Sequence, residues 1–293
     1  MKKIVVGSRE SQLAVAQAMT LVRAIRQALP DAEVSLLTMK TTGDRILDRT
    51  LDQVGGKGLF VKELDIALRD GRIDLAVHSL KDLPMNLPPD LPLLAVSVRE
   101  DPRDAMVLPP DQEEPDPALP IGTSSLRRAL QLKKLYPKQE IRSVRGNLQT
   151  RLNKLDSGQY GALVLAAAGL KRMGLAQRIS RYFSVEEMIP AAGQGIIAVQ
   201  GRQGTDGVCF TSYHDPKAAA AAVCERAFVR ELNGGCTSPI CAYAAVNGDQ
   251  IALQGLYYDS CTGHSRIGKT EGSVEDAQKL GIMLARKLRE GSA

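Results

Sequence analysis

The chain has 293 residues, 44% hydrophobic and 24% charged, which is the balance of a soluble globular protein with room for two or three cores. No apolar run approaches membrane-spanning length. The opening run Ile4–Gly7 is cut short by Ser8, Arg9 and Glu10, so no signal-peptide core forms and a cytoplasmic location is expected. Lys3–Gly7 reads as a buried strand, and Leu13, Ala14, Leu21, Val22, Ile25 and Leu29 recur at helical spacing up to Pro30. Glu33–Met39 alternates as a strand, Lys62–Arg69 is helical and Asp74–His78 returns to strand. The alternation continues through Ala105–Leu108, Ser125–Leu135, Ile141–Ser143, Asn147–Asp156 and Ala162–Ala166, the rhythm of parallel sheets covered by helices. The Pro- and acid-rich segment from Pro109 to Pro120 is a surface loop. Crossings between α/β domains are expected near Asp101 and Pro190. After His214-Asp215-Pro216 come a helix through Leu232, three strand-like runs from Ile240 to Gly268 and a last helix from Val274 to Arg289, a pattern of a small antiparallel sheet on helices.

Charge is unevenly distributed. Between Ile121 and Arg178 stand twelve Lys/Arg and two acids, Glu140 and Asp156, a local +10 in a chain whose total is +5. Seven of the cations are arginines, whose rigid forks suit bidentate capture of carboxylates and phosphates. Gly122-Thr123-Ser124-Ser125-Leu126-Arg127-Arg128 delivers three hydroxyl residues to a helix start, where unpaired backbone N–H groups attract anions. A capped helix with a solvated basic face is the plainer alternative. Arg145-Gly146-Asn147 with Arg151 repeats the theme, and Arg172 follows the Gly169-Leu170 corner. Three such sites in one α/β domain point to one cleft lined with anion receptors.

His78-Ser79-Leu80-Lys81-Asp82-Leu83-Pro84 puts a carboxylate at a strand's C-terminal end, where open α/β folds place functional groups. A surface ion pair is the alternative for Lys81 and Asp82. Val54-Gly55-Gly56-Lys57-Gly58-Leu59-Phe60 is glycine-rich but lacks P-loop spacing, and reads as a loop presenting Lys57 and Phe60. Five cysteines, an odd number, with three scattered histidines support neither a disulfide framework nor a metal site, so no metal is expected. Asn233-Gly234-Gly235-Cys236 sets one thiol on a glycine-rich loop, which suits either an inert cysteine or a covalent attachment point.

In order, VGGKGLFVKEL (54–64), HSLKDLP (78–84), REDPRDA (99–105), GTSSLRR (122–128), RGNLQTRL (145–152), LAAAGLKRMGL (165–175), PAAGQG (190–195) and NGGCTSPI (233–240) span nearly the whole chain. Together they closely resemble the porphobilinogen deaminase (hydroxymethylbilane synthase) family. The resemblance implies an α/β protein of three domains. Domains 1 (1–98 and 195–214) and 2 (99–194) would be built like type II periplasmic binding proteins. Domain 3 (215–293) would be a small α+β unit with a three-stranded antiparallel sheet. It implies a cytoplasmic, monomeric transferase of tetrapyrrole and haem biosynthesis that joins four porphobilinogen molecules head to tail, releasing ammonia. Its primer, a dipyrromethane, would hang by a thioether from Cys236. Asp82 falls on the catalytic aspartate. Lys81, Asp82, Thr123, Ser125, Arg127, Arg128, Gly146 and Arg151 match cofactor-binding positions. Arg9, Ser11, Arg145, Arg151, Arg172, Lys57 and Phe60 match substrate-binding ones.

Two departures stand out. Gln53 replaces a usual basic residue, and Val199-Gln200-Gly201-Arg202 replaces the usual Glu-Cys-Arg ending, followed by an atypical Gln203–Tyr213. An altered hinge-side strand is expected, with activity kept. Two rival readings are weaker. Nucleic-acid binding lacks stacking aromatics, since Tyr136 and Tyr160 are the only ones in the basic segment, and no membrane partner is expected. A non-catalytic anion sensor leaves Cys236 and the third domain without a role.

Overall fold

The structure, a computed structural model, describes residues 3–42, 61–235 and 238–291. The chain divides into two compact units, Met1–Glu100 with Ile196–Ala219, and Asp101–Gly195 with Ala220–Ala293.

The first unit is a five-stranded sheet in the order β2-β1-β3-β10-β4, formed by β1 (Lys3–Arg9), β2 (Glu33–Met39), β3 (Leu75–Ser79), β4 (Leu93–Val96) and β10 (Ile197–Gly201). Strands β1, β2 and β3 run parallel, and β10 is antiparallel to both β3 and β4. Helix α1 (Gln12–Ala28) covers one face, burying Leu21, Val22 and Ile25 against Ile4, Val6, Leu75, Val77, Ile197 and Val199. Full burial of each such aliphatic side chain stabilises by about 1.5–3 kcal/mol. Helix α2 (Lys62–Arg69) covers the other face, where Leu64, Ala67 and Leu68 meet Ile73, Ala76 and Leu91. The period-2 alternation of β1, β3 and β10 divides their residues between these faces.

The second unit repeats the plan. Strands β5 (Asp104–Val107), β6 (Ile121–Gly122), β7 (Ile141–Arg142), β8 (Ala162–Ala166) and β9 (Arg181–Tyr182) form a sheet in the order β7-β6-β8-β5-β9. Strands β6, β7 and β8 are parallel and β5 opposes β8 and β9. Helix α3 (Leu126–Leu135) packs Leu132 on Ile121, Ala162 and Val164; α4 (Leu148–Asp156) and α5 (Ala167–Arg172) pack Leu152, Leu155 and Leu170 on Ala105, Val107, Leu163 and Leu165. Both sheets therefore have the type II periplasmic-binding-protein order, 2-1-3-n-4. The expectation of parallel sheets is corrected by β10 and β5. Each is the strand next to a crossing between units, and it enters its sheet against the direction of the three parallel strands.

The second unit also holds α6 from residue 220 on (Pro216–Glu231 in full), the antiparallel sheet β11 (Cys241–Asn247), β12 (Gln250–Tyr258) and β13 (Ser265–Ser273), and α7 (Ala277–Glu290). Helices α6 and α7 approach closely because position 281 is glycine: a Cβ there would lie 2.3 Å from the Cys224 carbonyl oxygen. Among the described residues no helix is long and apolar enough to cross a membrane.

Candidate functional site

In the second unit the three parallel strands end on one edge, so the segments that follow β6 and β7 and the helix that follows β8 share it. Thr123 N–H donates to the Arg142 carbonyl at 3.0 Å, and the Ser124 hydroxyl donates to the Val144 carbonyl, so segments 123–125 and 143–147 adjoin. Ser125 is the N-cap of α3, its Oγ 3.5 Å from the Arg128 N–H, and buried Thr123 accepts from the Ser125 N–H at 3.3 Å. Asn147 caps α4 by accepting from the Thr150 N–H at 2.9 Å. Gly146 has φ +111° and a Cβ there would meet Thr150 at 2.6 Å, so this turn requires glycine. Its carbonyl accepts from Arg151 Nε at 2.8 Å, while the Arg145 carbonyl accepts from Lys154 Nζ. Arg172, in the last turn of α5, donates to the Gly195 carbonyl at 2.6 Å, and its neighbour Lys171 pairs with Asp101 at 2.9 Å. Thr123, Ser125, Arg145, Gly146 and Arg151 are thus gathered at one end of the sheet, as the loop-to-helix pattern anticipates.

Arg127 and Arg128 have a partner that sequence reasoning missed. Both point into the core and converge on Asp104 at the start of β5. Arg127 Nη1 lies 2.5 Å from Asp104 Oδ2, Arg128 Nε 2.9 Å from Oδ1 and Arg128 Nη2 2.8 Å from Oδ1. Gln194 Nε2 adds a third donor residue at 2.9 Å, and Arg127 also donates to the Ile189 carbonyl. Asp104 is wholly buried, and the two arginines are 3% and 6% exposed. Burial alone would raise the Asp104 carboxyl, but the two guanidiniums outweigh it and hold it far below the usual carboxylate range. Arg127 and Arg128 share the one carboxylate of Asp104, so these three groups together sum to +1. Arg127 Nε is buried without a hydrogen-bond partner among the described residues. A sequence signal existed: Asp104 directly precedes the apolar run Ala105–Leu108, and the structure buries that strand at every position.

In the first unit, β1 and β3 also end on a common edge, which carries Arg9, Ser11, Lys81 and Asp82. Ser11 caps α1, accepting from the Ala14 N–H at 3.4 Å. Ser79 is tied to α1 by the Gln17 amide at 2.9 Å, and Leu80–Asp82 forms a single 3-10 turn that leaves Lys81 and Asp82 half-buried. Gln53, Lys57, Phe60 and Cys236 lie outside the described residues. Three of the other cysteines are unsuited to attachment. Burial pushes the Cys224 and Cys241 thiols up to about 12, and Cys209 is buried; Cys261 is exposed. Among the described residues no group of three or more His, Cys, Asp or Glu could hold a metal ion.

Comparison with known proteins agrees along the chain. The family description "Porphobilinogen deaminase, dipyromethane cofactor binding domain" matches residues 4–209, and "Porphobilinogen deaminase, C-terminal domain" matches 219–290. The porphobilinogen deaminase of Ruminiclostridium josui is 52% identical over 293 residues, covering all of both chains. That of Ruminiclostridium cellulolyticum is 54% identical over 288 residues, covering 98% of each. Among solved structures, the BenM effector-binding domain with benzoate aligns at TM-score 0.43 and 15% identity, covering 72% of this chain and 89% of that one. The chain belongs to the porphobilinogen deaminase family, with both the cofactor-binding and the C-terminal domain of that family present.

Proposed function

We propose that this protein is a hydroxymethylbilane synthase: it joins four porphobilinogen molecules head to tail, releases ammonia at each addition, and grows the chain on a dipyrromethane held by Cys236. The observation that carries the reading is the family match over both domains together with the anion receptors gathered on one sheet edge. The second unit's donor set suits a dipyrromethane, whose two rings bear four carboxylates. Hydroxyl residues 123–125, helix starts at α3 and α4, the guanidiniums of Arg145 and Arg151 and the net positive Arg127–Arg128–Asp104 cluster all favour anions. Bound there, the cofactor supplies the pyrrole carbon at which the chain is extended.

Within this reading Lys81, Thr123, Ser125, Gly146 and Arg151 hold the cofactor's carboxylates and rings. Arg127 and Arg128 act on it from below, through their shared excess charge. Arg9, Ser11, Arg145 and Arg172, with Lys57 and Phe60, receive substrate and the growing chain, which gains two carboxylates per addition. Asp82 is the catalytic group. Loss of ammonia from porphobilinogen leaves a cation on the substrate, and attack by the next pyrrole leaves another. A carboxylate fixed at the end of β3 stabilises both and aligns the pyrrole N–H groups. The protein works as a cytoplasmic monomer and needs no nucleic acid, membrane or metal.

The test is incubation of the protein with porphobilinogen, reading ammonia and the linear product together. One ammonia per porphobilinogen consumed and a four-pyrrole product support the reading. No ammonia release from cofactor-loaded protein overturns it in favour of a non-catalytic anion-binding role.

A further inference from the structure

Helix α3 serves two neighbours at once. The segment that leads into it carries the anion receptors Thr123 and Ser125. Further along, Arg127, Leu130, Gln131 and Lys134 follow the spacing of a single helical face. Leu130 packs on the buried cluster of Ile189, Cys241 and Leu256, and Lys134 Nζ donates to the Ser265 hydroxyl at 2.7 Å. Cys241, Leu256 and Ser265 belong to β11, β12 and β13, so this face meets the antiparallel sheet that follows the attachment cysteine. All of these residues lie in the second compact unit.

Gln131 is the polar centre of the joint. It is 5% exposed, and its carboxamide pairs with Ile189 as a second backbone would. Oε1 accepts from the Ile189 N–H at 2.8 Å, and Nε2 lies 3.3 Å from the Ile189 carbonyl oxygen. The same Nε2 is 3.3 Å from the Arg127 carbonyl oxygen and 4.0 Å from Cys241 Sγ. One side chain thus touches α3, the segment before Pro190 and the first residue of β11. Ile189 is wholly buried, so an apolar side chain at position 131 would leave its N–H without a partner. Strand β11 is also the continuation of the attachment loop, since Cys236 stands five residues before Cys241. The helix before that loop is tied to the same strand. Buried Glu225 of α6 accepts from the Ala244 N–H through Oε1 and from the Gly193 N–H through Oε2, each at 2.7 Å. The thiol-bearing loop therefore connects two elements that are fixed to each other and, through Gln131 and Ile189, to the receptor helix.

We propose that Gln131 is a positioning residue for the covalent cofactor: by fixing the start of β11 on α3, it keeps the attachment loop in step with the carboxylate receptors at the start of that same helix. The proposal rests on the reading that Cys236 carries the dipyrromethane. A tether anchored on the receptor helix keeps the local concentration of cofactor carboxylates at those receptors high and orients the pyrrole carbon to be extended. Porphobilinogen itself is received by other groups, so a looser anchor slows bond formation and leaves substrate binding intact.

The test is Gln131→Met in the full-length, cofactor-loaded protein, with activity counted per bound dipyrromethane and the Ile189 amide followed by NMR hydrogen exchange. In the variant, kcat should fall by about tenfold or more while KM for porphobilinogen stays within about twofold. The wild-type Ile189 amide should exchange at least about 100-fold more slowly than an open chain, and the variant should lose most of that protection. A wild-type Ile189 amide exchanging at the open-chain rate overturns the proposal, and this measurement stands even where the variant fails to fold. An unchanged kcat per bound cofactor in a folded variant overturns the positioning role. So does a raised KM with kcat kept, which would move the effect to substrate binding. Wild-type protein that carries no dipyrromethane on Cys236 overturns the reading beneath the proposal, and with it the proposal, while the Ile189 exchange stays as found.

Discussion

Replacing Asp104 by Asn should be among the most damaging single changes in the second unit. The substitution keeps shape and removes the negative charge that Arg127 and Arg128 both clasp in the interior. Donors from three residues, Arg127, Arg128 and Gln194, converge on the carboxylate within 3.3 Å, and none is exposed enough for water to take over. Removing one partner of a buried ion cluster costs about 3–5 kcal/mol. With a few degrees of Tm per kcal/mol for a chain of this size, the melting temperature should fall by roughly 10 °C. The comparison is Glu140→Gln, an exposed acid whose partner Arg142 is 53% exposed, and which should leave the melting temperature within about 2 °C of wild type. Differential scanning calorimetry of the three proteins at pH 7 gives the answer. An Asp104→Asn protein melting within 2 °C of wild type would refute the reasoning, because the cluster would then be no better than a solvated pair.

Asp82→Asn should lower turnover by about 100-fold or more while the melting temperature stays within about 2 °C of wild type, since Asp82 is half-buried and charge stabilisation is its proposed work; steady-state kinetics and calorimetry check both halves. Stability should fall with acid in a window set by His78. Its folded-state pKa of about 4 lies below the ordinary 6.5, so stability is full above 6.5 and declines as pH falls towards 4, by about 3 kcal/mol in total. Denaturation at pH 7 and pH 4.5 should show a smaller loss in His78→Gln. Thiol reactivity should follow burial: brief alkylation of the folded protein at pH 8, mapped by mass spectrometry, should mark Cys261 and spare Cys224 and Cys241.

What could be read from the sequence was whatever local pattern decides. The helix Lys62–Arg69 and the strands Glu33–Met39 and Ala162–Ala166 have the limits their periodicity predicts, and Ser11, Ser125 and Asn147 stand at helix starts. What could not be read depends on pairing across long separations. Strand β4 is four residues between proline-rich segments, and its partner β10 lies about a hundred residues on, so neither announces the antiparallel direction. The basic segment reads as a set of anion receptors or, more plainly at 122–128, as a capped helix with a solvated basic face. Two of its arginines are instead folded inward onto Asp104, 23 and 24 residues upstream, a contact that composition does not encode. His78 and Gln200 come to share one face of the sheet only through the register of β3 and β10, which sets His78 opposite Ala198 and Gln200 opposite Ala76.

The most direct test of the central claim is the intact mass of the purified protein, read with acidic Ehrlich's reagent and with a Cys236→Ser control, after incubation with porphobilinogen. The account predicts added mass equal to two linked pyrrole units, with a colour reaction, and loss of both in Cys236→Ser but not in Cys261→Ser. A protein that gains neither mass nor colour, or that keeps both when Cys236 is replaced, would contradict it.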